Sequence, residues 1–292
     1  MKVFVTGASG FVGSVVVHEL VTAGHQVVGL ARSDASAAAI TAAGAAVVRG
    51  SLDDLESLRS GAELADGVIH CAFMHNFSDY AAAAEADWKA IETLGAVLVG
   101  SKRPFIVTSG MGAKTEDDDI TNTPSAVAAR ASEKTALELV AQGVHAMVMR
   151  LPPIVHGEGD RHGFTTRLIN IAREKGVSPY AGEGLNCWPA VHRIDAAHLY
   201  RLGLENAPAG SRLHAVGDEG VPVRDIAEVI GRHLNLPVVS IPVEKAVEHF
   251  GFLGALFPRD ISASNKLTQE RFNWHPMQPG LIADLDQGHY FN

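Results

Sequence analysis

The feature that most constrains the fold is a β-branched run that leads into a glycine-rich turn and then into a helix-forming segment. Residues 3–6 (VFVT) continue as TGASGFVG, which places Gly7, Gly10 and Gly13 at the turn, and an apolar run follows. Gly7 permits a tight turn, Gly10 lets the backbone approach a diphosphate, and Gly13 lets the helix pack closely on the strand. Free N–H groups and the positive end of the helix dipole favour an anion there. The pattern predicts a dinucleotide-binding strand–turn–helix unit.

The alternation of strands and helices continues as far as residue 150. The runs QVVGLA, AAVVRG, GVIHCA, PFIVTS and AMVMR are typical of buried parallel strands, and alanine-rich helical segments separate them. This order predicts an α/β fold, a Rossmann doubly wound parallel sheet with a small C-terminal substrate lobe. We assign residues 1–150 to the dinucleotide-binding core and residues 151–292 to a mixed segment that completes the core and forms the lobe.

Composition excludes several classes of protein. The 292 residues are 47% hydrophobic and 20% charged, as in soluble globular proteins. The net charge of −9 and the scattered basic residues argue against a nucleic-acid surface, and no apolar run is long enough to cross a membrane. Two cysteines and the spacing of the histidines indicate neither a disulfide framework nor a metal site. We therefore expect a cytoplasmic protein that acts on a small molecule.

Four motifs occur in an order that resembles one superfamily. They are TGASGFVG, VIHCAF, RLPPIVHGEGD and AVHRIDAAHLY, and they extend from Val3 to about Tyr200. Together they resemble the extended and atypical branches of the short-chain dehydrogenase/reductase superfamily, which has epimerase- and dehydratase-like members. The resemblance implies a nicotinamide cofactor, and a homodimer formed through two long helices at about 79–100 and 125–142.

The resemblance also implies a set of residues that contact the cofactor. Around the glycine turn these are Thr6, Gly7, Ser9, Gly10, Phe11, Val12 and Gly13. Further along the chain they are Ser51 and Leu52 near the adenine, then Cys71, Ala72, Phe73, Thr108, Lys134, Leu151, Pro152, Pro153 and Ile154. The family usually has aspartate where Ser51 stands.

The end of the second strand indicates which nicotinamide cofactor binds. An acidic residue at this point would bind the adenosine ribose diol and repel a 2′-phosphate. The sequence GLARSD instead places Arg32 and Ser33 there, a cation and a hydroxyl suited to that phosphate. We expect NADP(H) to be preferred over NAD(H), although a solvated surface arginine is the alternative interpretation.

The catalytic pattern of the superfamily is incomplete in this chain. Ordinary members use a serine after the fifth strand, a tyrosine as proton donor, and a lysine one helical turn after the tyrosine. Ser109 matches the serine, with Thr108 next, and RASEKTALE aligns Lys134 with the lysine but Arg130 with the tyrosine. Arginine stays protonated and cannot act as a general acid in turnover.

A shift of the alignment does not restore the tyrosine. No Tyr-x-x-x-Lys occurs, and Tyr80, Tyr180, Tyr200 and Tyr290 all lie far from this helix in sequence. The alternative is that Arg130 and Lys134 belong to a charged helix face with Glu133 and Glu138.

Three functions remain open. The first is an NADPH-dependent oxidoreductase that transfers hydride to an imine or an activated carbonyl, since such acceptors need little help from an acid. The second is a catalytically silent protein that binds NADP(H) as a sensor or regulator. The third is an epimerase or dehydratase of the sugar-nucleotide type, although those enzymes also depend on the missing tyrosine.

Residues outside the cofactor motifs are candidates for the substrate pocket. These are His75, Asn76, Met111, His156 and Trp188. His156 is also a candidate proton donor, because histidine titrates near neutral pH. A structural histidine in a turn and a tryptophan packed between lobes are the alternatives for His156 and Trp188. Such residues would line an apolar chamber suited to an apolar or cyclic substrate.

The segment EKAVEHFGFLGALF near the C-terminus predicts a helix with an unusual amount of apolar surface. We expect Phe250, Phe252, Leu253 and Phe257 to line either a lid over the nicotinamide or a contact between subunits.

Overall fold

A computed structural model of the chain describes residues 1–74, 79–121 and 130–292. Its centre is a sheet of seven strands in the order β10-β6-β5-β4-β1-β2-β3, with every neighbouring pair parallel. The strands are β1 Lys2–Thr6, β2 Gln26–Ala31, β3 Ala46–Arg49, β4 Gly67–His70, β5 Pro104–Gly110, β6 His145–Leu151 and β10 Arg212–His214. The predicted α/β fold with a doubly wound parallel sheet is confirmed.

Helices cover both faces of this sheet. They are α1 Phe11–Thr22, α2 Asp34–Ala42, α3 Leu55–Glu63, α4 Tyr80–Leu98, α5 Ser132–Ala141 and α7 Arg193–Asn206. Two hydrophobic clusters result, one between the sheet and the α1 and α7 side, the other between the sheet and α3, α4 and α5. Burial on both faces explains why the strands read as nearly continuous apolar runs.

The chain order of the strands creates a crevice at one edge of the sheet. The chain lays β2 and β3 on one side of β1 and then returns to place β4, β5 and β6 on the other. Ligands of doubly wound sheets bind at such a reversal, outside the carboxyl ends of the strands. The glycine turn follows β1 and Cys71 follows β4, so both lie at this crevice.

The C-terminal lobe contains two smaller sheets. One has the order β11-β9-β7 and the other pairs β12 with β8. Their strands are β7 Ile154–His156, β8 Ser178–Ala181, β9 Cys187–His192, β11 Asp218–Pro222 and β12 Val238–Ile241. The helices are α6 Phe164–Lys175, α8 Val223–Leu234, α9 Ala246–Phe250, α10 Lys266–Phe272 and α11 Leu281–Asp286, with 3₁₀ turns at Val243–Lys245 and Gly251–Ala255.

The predicted lid segment is packed inside this lobe. Its helix ends at Phe250, and a 3₁₀ turn begins at Gly251, where φ is +60°. Phe250, Leu253 and Phe257 are each at most 3% exposed and belong to the hydrophobic core of the lobe, with Phe252 packed against it. The expectation of a lid or a subunit contact is therefore corrected for the three buried side chains: they are core residues.

The second predicted long helix is shorter in the described part of the chain. It was expected over about 125–142, whereas α5 begins at Ser132 after Ala131, which has φ +62°. Residues 122–129 lie outside the described residues. Across the ranges that the structure describes, no helix has the length and apolar character needed to cross a membrane.

Candidate functional site

The glycine turn is built so closely that two of its positions admit no side chain. Gly7 has φ +69°, and a Cβ there would lie 2.8 Å from the backbone nitrogen of Ala72. A Cβ on Gly13 would lie 2.0 Å from the carbonyl oxygen of Gly7. The Gly10 N–H donates to that same carbonyl over 2.8 Å, which closes the turn. The glycines are thus required by the close approach of β1, β4 and α1.

The N-terminus of α1 is open to an anion. Its cap residue Gly10 makes no side-chain capping bond, and the first turn has no acidic residue. Ser9 and Gly10 are exposed, and Phe11 and Val12 keep part of their surface accessible. Backbone N–H groups without side-chain caps and an uncompensated helix dipole fit a diphosphate. The geometry of this turn therefore suits the cofactor that the motif predicts.

Arg32 is exposed at the end of β2, and the nearby acidic residue, Asp34, is paired with another arginine. Asp34 forms an ion pair with Arg49 at the end of β3. The Ser33 hydroxyl accepts from the Ser36 N–H at 3.2 Å and so caps α2. Within the described ranges, Arg32 has no ion-pair partner. Its guanidinium is exposed at this corner of the crevice.

A chain of buried hydrogen bonds starts beside the glycine turn. The Thr6 hydroxyl lies 2.8 Å from Nδ1 of His70 and accepts the Ala72 N–H at 3.3 Å. Nε2 of His70 lies 3.1 Å from Oδ1 of Asp87, on α4. A hydroxyl that already accepts the Ala72 N–H can donate its proton to Nδ1, which leaves Nε2–H to donate to the carboxylate. Thr6, predicted to contact the cofactor, thus has its side chain committed to the interior.

Arg130 is fixed by the same carboxylate. Its Nε and Nη2 each donate to Asp87 over 3.1 Å, and the Ser132 hydroxyl donates to Asp87 over 2.6 Å. The guanidinium also lies over the ring of Phe73, 3.9 Å from its centroid. Burial by itself would raise the pKa of Asp87, but the charge of Arg130 and the hydrogen bond from His70 outweigh it and lower the pKa to about 2. Asp87 and Arg130 therefore form a permanent ion pair at this edge.

Lys134 does not join that cluster. Its side chain is 57% exposed and lies 3.9 Å from Glu138, one turn further along α5. The preceding residue, Glu133, faces inward instead, where it accepts from Arg150 at 2.6 and 2.8 Å and from Arg212 at 2.9 Å. The alternative of a charged face thus describes Lys134 and Glu138, while Glu133 and Arg130 are held in buried ion pairs.

Ser109 and Thr108 differ in what their hydroxyls contact. Thr108 donates to the His70 carbonyl at 2.6 Å and lies 2.7 Å from the Tyr200 hydroxyl, so its side chain is part of the interior. Ser109 is 1% exposed, and its Oγ has no hydrogen-bond partner among the described residues. Buried hydroxyls are almost always paired, so the Ser109 hydroxyl keeps the capacity for a further hydrogen bond at the end of β5.

The thiol of Cys71 belongs to the same interior cluster as Thr108. Burial raises its pKa to about 12, although hydrogen bonds with Thr108 and Tyr200 oppose the rise. A thiol with so high a pKa is a poor nucleophile. Burial likewise raises the pKa of Tyr200 well above its ordinary range, so this phenol stays protonated in the core.

One tyrosine that is distant in sequence is close in space. Tyr80 begins α4, and its ring centroid lies 6.0 Å from that of Phe73, the ring over which Arg130 lies. Burial raises the pKa of the Tyr80 phenol, while the charge of Arg130 lowers it. Tyr80, which is far from this helix in sequence, is therefore linked to Arg130 through the ring of Phe73.

Two predicted pocket residues are core residues of the lobe. His156 has no exposed surface, and its Nδ1 lies 2.8 Å from Oδ2 of Asp284. Trp188 is also fully buried, donates from Nε1 to the Arg259 carbonyl at 3.2 Å, and packs edge-on against Phe257. The assignment of His156 as proton donor and of Trp188 as substrate-facing ring is corrected: both are enclosed by the lobe.

The remaining predicted residues divide into three groups. Met111 is partly exposed at the crevice, and its N–H donates to the Leu151 carbonyl at 2.7 Å. Partial surface is also accessible at Ser51, Leu52, Ala72, Phe73, Leu151 and Pro153, whereas Pro152 and Ile154 are buried. His75 and Asn76 lie outside the described residues.

Comparison with known proteins shows which family this chain belongs to. The model of the NAD dependent epimerase/dehydratase family matches residues 3–216, which covers the glycine turn, the Asp87–Arg130 pair and Ser109. The chain belongs to this family. It is thereby a member of the extended short-chain dehydrogenase/reductase superfamily, as the motifs predicted.

Similar proteins match this chain over all or nearly all of its length. An uncharacterized protein of Schizosaccharomyces pombe is 47% identical over 298 residues, with all of both chains covered. The UDP-glucose 4-epimerase of Streptomyces lividans is 23% identical, over 98% of this chain and 94% of its own. The crystal structure of DesIV, a dTDP-glucose 4,6-dehydratase from Streptomyces venezuelae with NAD and TYD bound, has a TM-score of 0.78 at 20% identity, covering 99% of this chain and 96% of that one. This family consists of NAD(P)-dependent oxidoreductases and epimerases.

Proposed function

We propose that this family member is an NADPH-dependent reductase that transfers hydride to an imine or an activated carbonyl. The observation that carries the proposal is the buried Ser109 hydroxyl at the end of β5, which lacks a partner among the described residues. Among those residues, no tyrosine–lysine pair accompanies it, because Lys134 is exposed and contacts Glu138. Leaving a buried hydroxyl unsatisfied costs about 1–3 kcal/mol. An acceptor atom of a substrate at the end of β5 would remove that cost.

The glycine turn supports cofactor binding. Gly7 and Gly13 leave room only for backbone, and the α1 N-terminus is uncapped by side chains. This combination fits the diphosphate. Phe73 and Leu151, which the resemblance predicts to contact the cofactor, keep part of their surface accessible. NADPH supplies the hydride when bound, while the protein orients the acceptor.

The preference for NADPH rests on Arg32. Its guanidinium is exposed at the end of β2, and the nearby Asp34, which would otherwise be free to bind a ribose diol, is paired with Arg49. An arginine–phosphate contact is a charge-assisted hydrogen bond. In Arg32→Ala we expect NADPH to bind roughly tenfold more weakly, about 1.4 kcal/mol, with NADH affinity unchanged. Equal NADPH affinity of the variant and wild type would contradict the preference, and exposed Arg59→Ala on α3 is the control.

The reaction class follows from the groups that are missing. Arg130 and Lys134 occupy the positions of the tyrosine and the lysine of ordinary members. Lys134 is exposed and Arg130 is bound to Asp87, so the two side chains do not act as a pair. The ion pair also offsets the charge of Arg130, which lessens its repulsion of a cationic acceptor. Acceptors that accept hydride without a strong acid are the activated ones, such as protonated imines, conjugated alkenes and activated ketones.

The direct test is oxidation of NADPH by purified protein in the presence of ketone, imine and enone panels, followed at 340 nm. Turnover with an activated acceptor supports the proposal. Protein that binds NADPH but oxidises it with none of these acceptors would instead be a sensor or regulator. The exposed position of Lys134 favours that second candidate, because it leaves the nicotinamide ribose without an ammonium partner.

An epimerase or dehydratase acting on a sugar nucleotide is the third candidate. The family and the relatives named above favour it, but removing a proton from a sugar hydroxyl needs a base. Arg130 cannot accept a proton, and the described residues place no tyrosine–lysine pair at this edge. We rank this function below reduction for that reason.

We further propose a homodimer through α4 and α5. These helices pack together, since a Cβ on Gly95 would lie 2.4 Å from Leu139 Cδ1, and Trp88 on α4 is 38% exposed. Sedimentation of wild type and Trp88→Glu would test this, with a shift to monomer expected in the variant.

A further inference from the structure

The groups around Arg130 leave part of its guanidinium available. Nε and Nη2 are directed at Asp87, whereas Nη1 has no hydrogen-bond partner among the described residues. The side chain is 11% exposed. Two of the five N–H groups of this guanidinium donate to Asp87, so both N–H groups of Nη1 and one of Nη2 remain as donors.

Arg130 lies at the crevice already described. Phe73, under the guanidinium, follows β4, and His70, which hydrogen-bonds the same carboxylate, is the last residue of β4. Ser109 lies near the end of β5, the neighbouring strand. Arg130 and Ser109 therefore both lie at the carboxyl ends of β4 and β5, where the reacting part of a substrate would bind.

From this arrangement we infer that Arg130 is a catalytic residue that donates from Nη1 to an oxygen on which negative charge develops, with Asp87 and His70 as positioning residues. The inference rests on the proposed reductase function and specifies its substrate class. A fixed donor directed at developing charge stabilises a transition state without transferring a proton. Because the guanidinium keeps its proton, the product of hydride addition must persist as an anion until water protonates it.

This requirement favours a conjugated enone over an imine or a simple ketone. Hydride from NADPH forms a C–H bond at the β-carbon, and the electron pair of the C=C bond moves through the conjugated system to the carbonyl oxygen. The resulting enolate takes a proton from water at the α-carbon and leaves hydroxide, which the solvent buffer neutralises, so the alkene is reduced and NADPH is oxidised to NADP⁺. An enolate spreads its charge over oxygen and carbon and is a weaker base than the alkoxide that a simple ketone would give. Reduction of a protonated imine leaves a neutral amine, for which a guanidinium offers nothing.

The buried network explains how the donor is held. Thr6, His70, Asp87 and Arg130 form one chain of contacts from β1 to the start of α5. Each side chain is hydrogen-bonded to its neighbour in this chain, and such supporting bonds keep a catalytic side chain in one orientation. Loss of His70 should therefore misplace Arg130 without removing its charge.

The first experiment measures binding of an enolate analogue, independently of turnover. 4-Nitrophenol is titrated by absorbance into the NADP⁺-saturated protein. We expect the anion to bind and the apparent pKa of bound 4-nitrophenol to fall. In Arg130→Lys, which keeps a charge but loses the planar fork, that fall should shrink, whereas Arg224→Lys, an exposed arginine of the lobe paired with Glu228, should match wild type. Binding of the neutral phenol, or an unchanged shift in Arg130→Lys, would overturn the assignment.

The second experiment measures turnover with 2-cyclohexen-1-one, 1-pyrroline and cyclohexanone. We expect the enone to be reduced fastest, and kcat in Arg130→Lys to fall roughly 100- to 1,000-fold with NADPH affinity retained. His70→Asn should lower kcat more than it raises KM, as a positioning role requires. Reduction of the imine but not the enone would refute the oxyanion role while leaving the reductase function intact. Absence of turnover with all three, despite NADPH binding, would reject both.

Two further variants keep the test decisive. Asp87→Asn with Arg130→Gln removes both charges together, so it avoids an unpaired buried carboxylate if Arg130→Lys fails to fold. The double variant should bind NADPH and lose the 4-nitrophenol shift; a retained shift contradicts the inference. Tyr80→Phe tests the nearest phenol as a rival acid: a larger loss of kcat in Tyr80→Phe than in Arg130→Lys would assign the proton transfer to Tyr80 and refute the role of Arg130.

Discussion

His156 and Asp284 join the middle of the lobe to the last helix of the chain. Nδ1 of the histidine, on β7, lies 2.8 Å from Oδ2 of the aspartate, on α11, and both side chains are buried. Nε2 of His156 has no partner among the described residues. Asp284 is therefore the one hydrogen-bond partner that the described residues provide for this imidazole. Nearby, the Gly157 N–H donates to the Tyr290 hydroxyl at 3.0 Å. The C-terminal segment is therefore held against β7 by polar contacts as well as by apolar packing.

Replacing Asp284 by alanine should destabilise the protein. The substitution leaves a buried imidazole with neither nitrogen paired, which costs about 1–3 kcal/mol in the free energy of unfolding. Urea unfolding followed by tryptophan fluorescence measures the loss. Asp286→Ala, on the same helix but exposed and paired with Arg232, should stay within about 0.5 kcal/mol of wild type. Equal stabilities of the two variants would show that the buried pair is energetically unimportant.

Acidification should weaken the fold through His192. Burial lowers the pKa of this imidazole, and the neighbouring His156 adds to the lowering against the opposite effect of Asp284. The unfolded chain then takes up a proton near the ordinary value of about 6.5, while the folded chain does so only at lower pH. The stabilisation is complete above that value and is lost as pH falls through the lowered pKa of the folded state.

The measurement is the urea midpoint at pH 7.5 and pH 5.5 in wild type and in His192→Asn. Asparagine can accept the Ile194 N–H as Nδ1 of His192 does, so the cap of α7 is kept. We expect a smaller pH dependence in the variant. Parallel curves for the two proteins would assign the acid sensitivity to other groups, of which His214, whose pKa burial also lowers, is the first to examine.

Alanine at Gly13 should abolish tight cofactor binding. The new methyl group would lie 2.0 Å from the Gly7 carbonyl oxygen, so the turn has to open. We expect NADPH affinity, measured by calorimetry, to fall at least roughly 100-fold, about 2.7 kcal/mol. In Gly203→Ala, on α7, the nearest atom is a Leu213 methyl at 3.1 Å, a side chain that can shift, so NADPH affinity should be kept. Unchanged affinity in Gly13→Ala would remove the turn from the cofactor site.

Neutralising Glu133 should cost far more than neutralising Glu138, five residues along the same helix. Glu133→Gln leaves the fully buried guanidinium of Arg150 without its carboxylate, and breaking a buried ion pair costs about 3–5 kcal/mol. Glu138→Gln removes only an exposed contact with Lys134 and should change stability by less than about 0.5 kcal/mol. Thermal unfolding of both variants compares the two costs. Similar melting temperatures would contradict the buried role of Glu133.

The sequence predicted the sheet and the glycine turn because both depend on short-range patterns. The apolar composition of segments such as PFIVTS predicts buried strands. Glycine at positions 7 and 13 predicts a turn too tight for a side chain. The exposed position of Arg32 follows from its place after β2. Nothing in those inferences requires knowledge of a distant residue.

His70, Asp87 and Ser132 were missed because their roles come from partners elsewhere in the chain. Asp87 lies in an alanine-rich helical segment, where a single acid is usually solvated, and the helix phase that buries it is set by packing on the sheet. The one available signal was Asp87's seven-residue spacing from Tyr80 along that helix, which places both on the same face.

The sequence by itself therefore determined a parallel sheet with a nucleotide-binding turn, since glycine conformations and apolar runs are local properties. Only the tertiary structure decided which charged and polar side chains pair. Arg130 binds Asp87, 43 positions away in sequence, and His156 lies within hydrogen-bond distance of Asp284, 128 positions away. It also turned Lys134 to solvent and enclosed Trp188. The energy of a buried charge depends on its nearest partner in space, and the order of residues along the chain does not specify that partner.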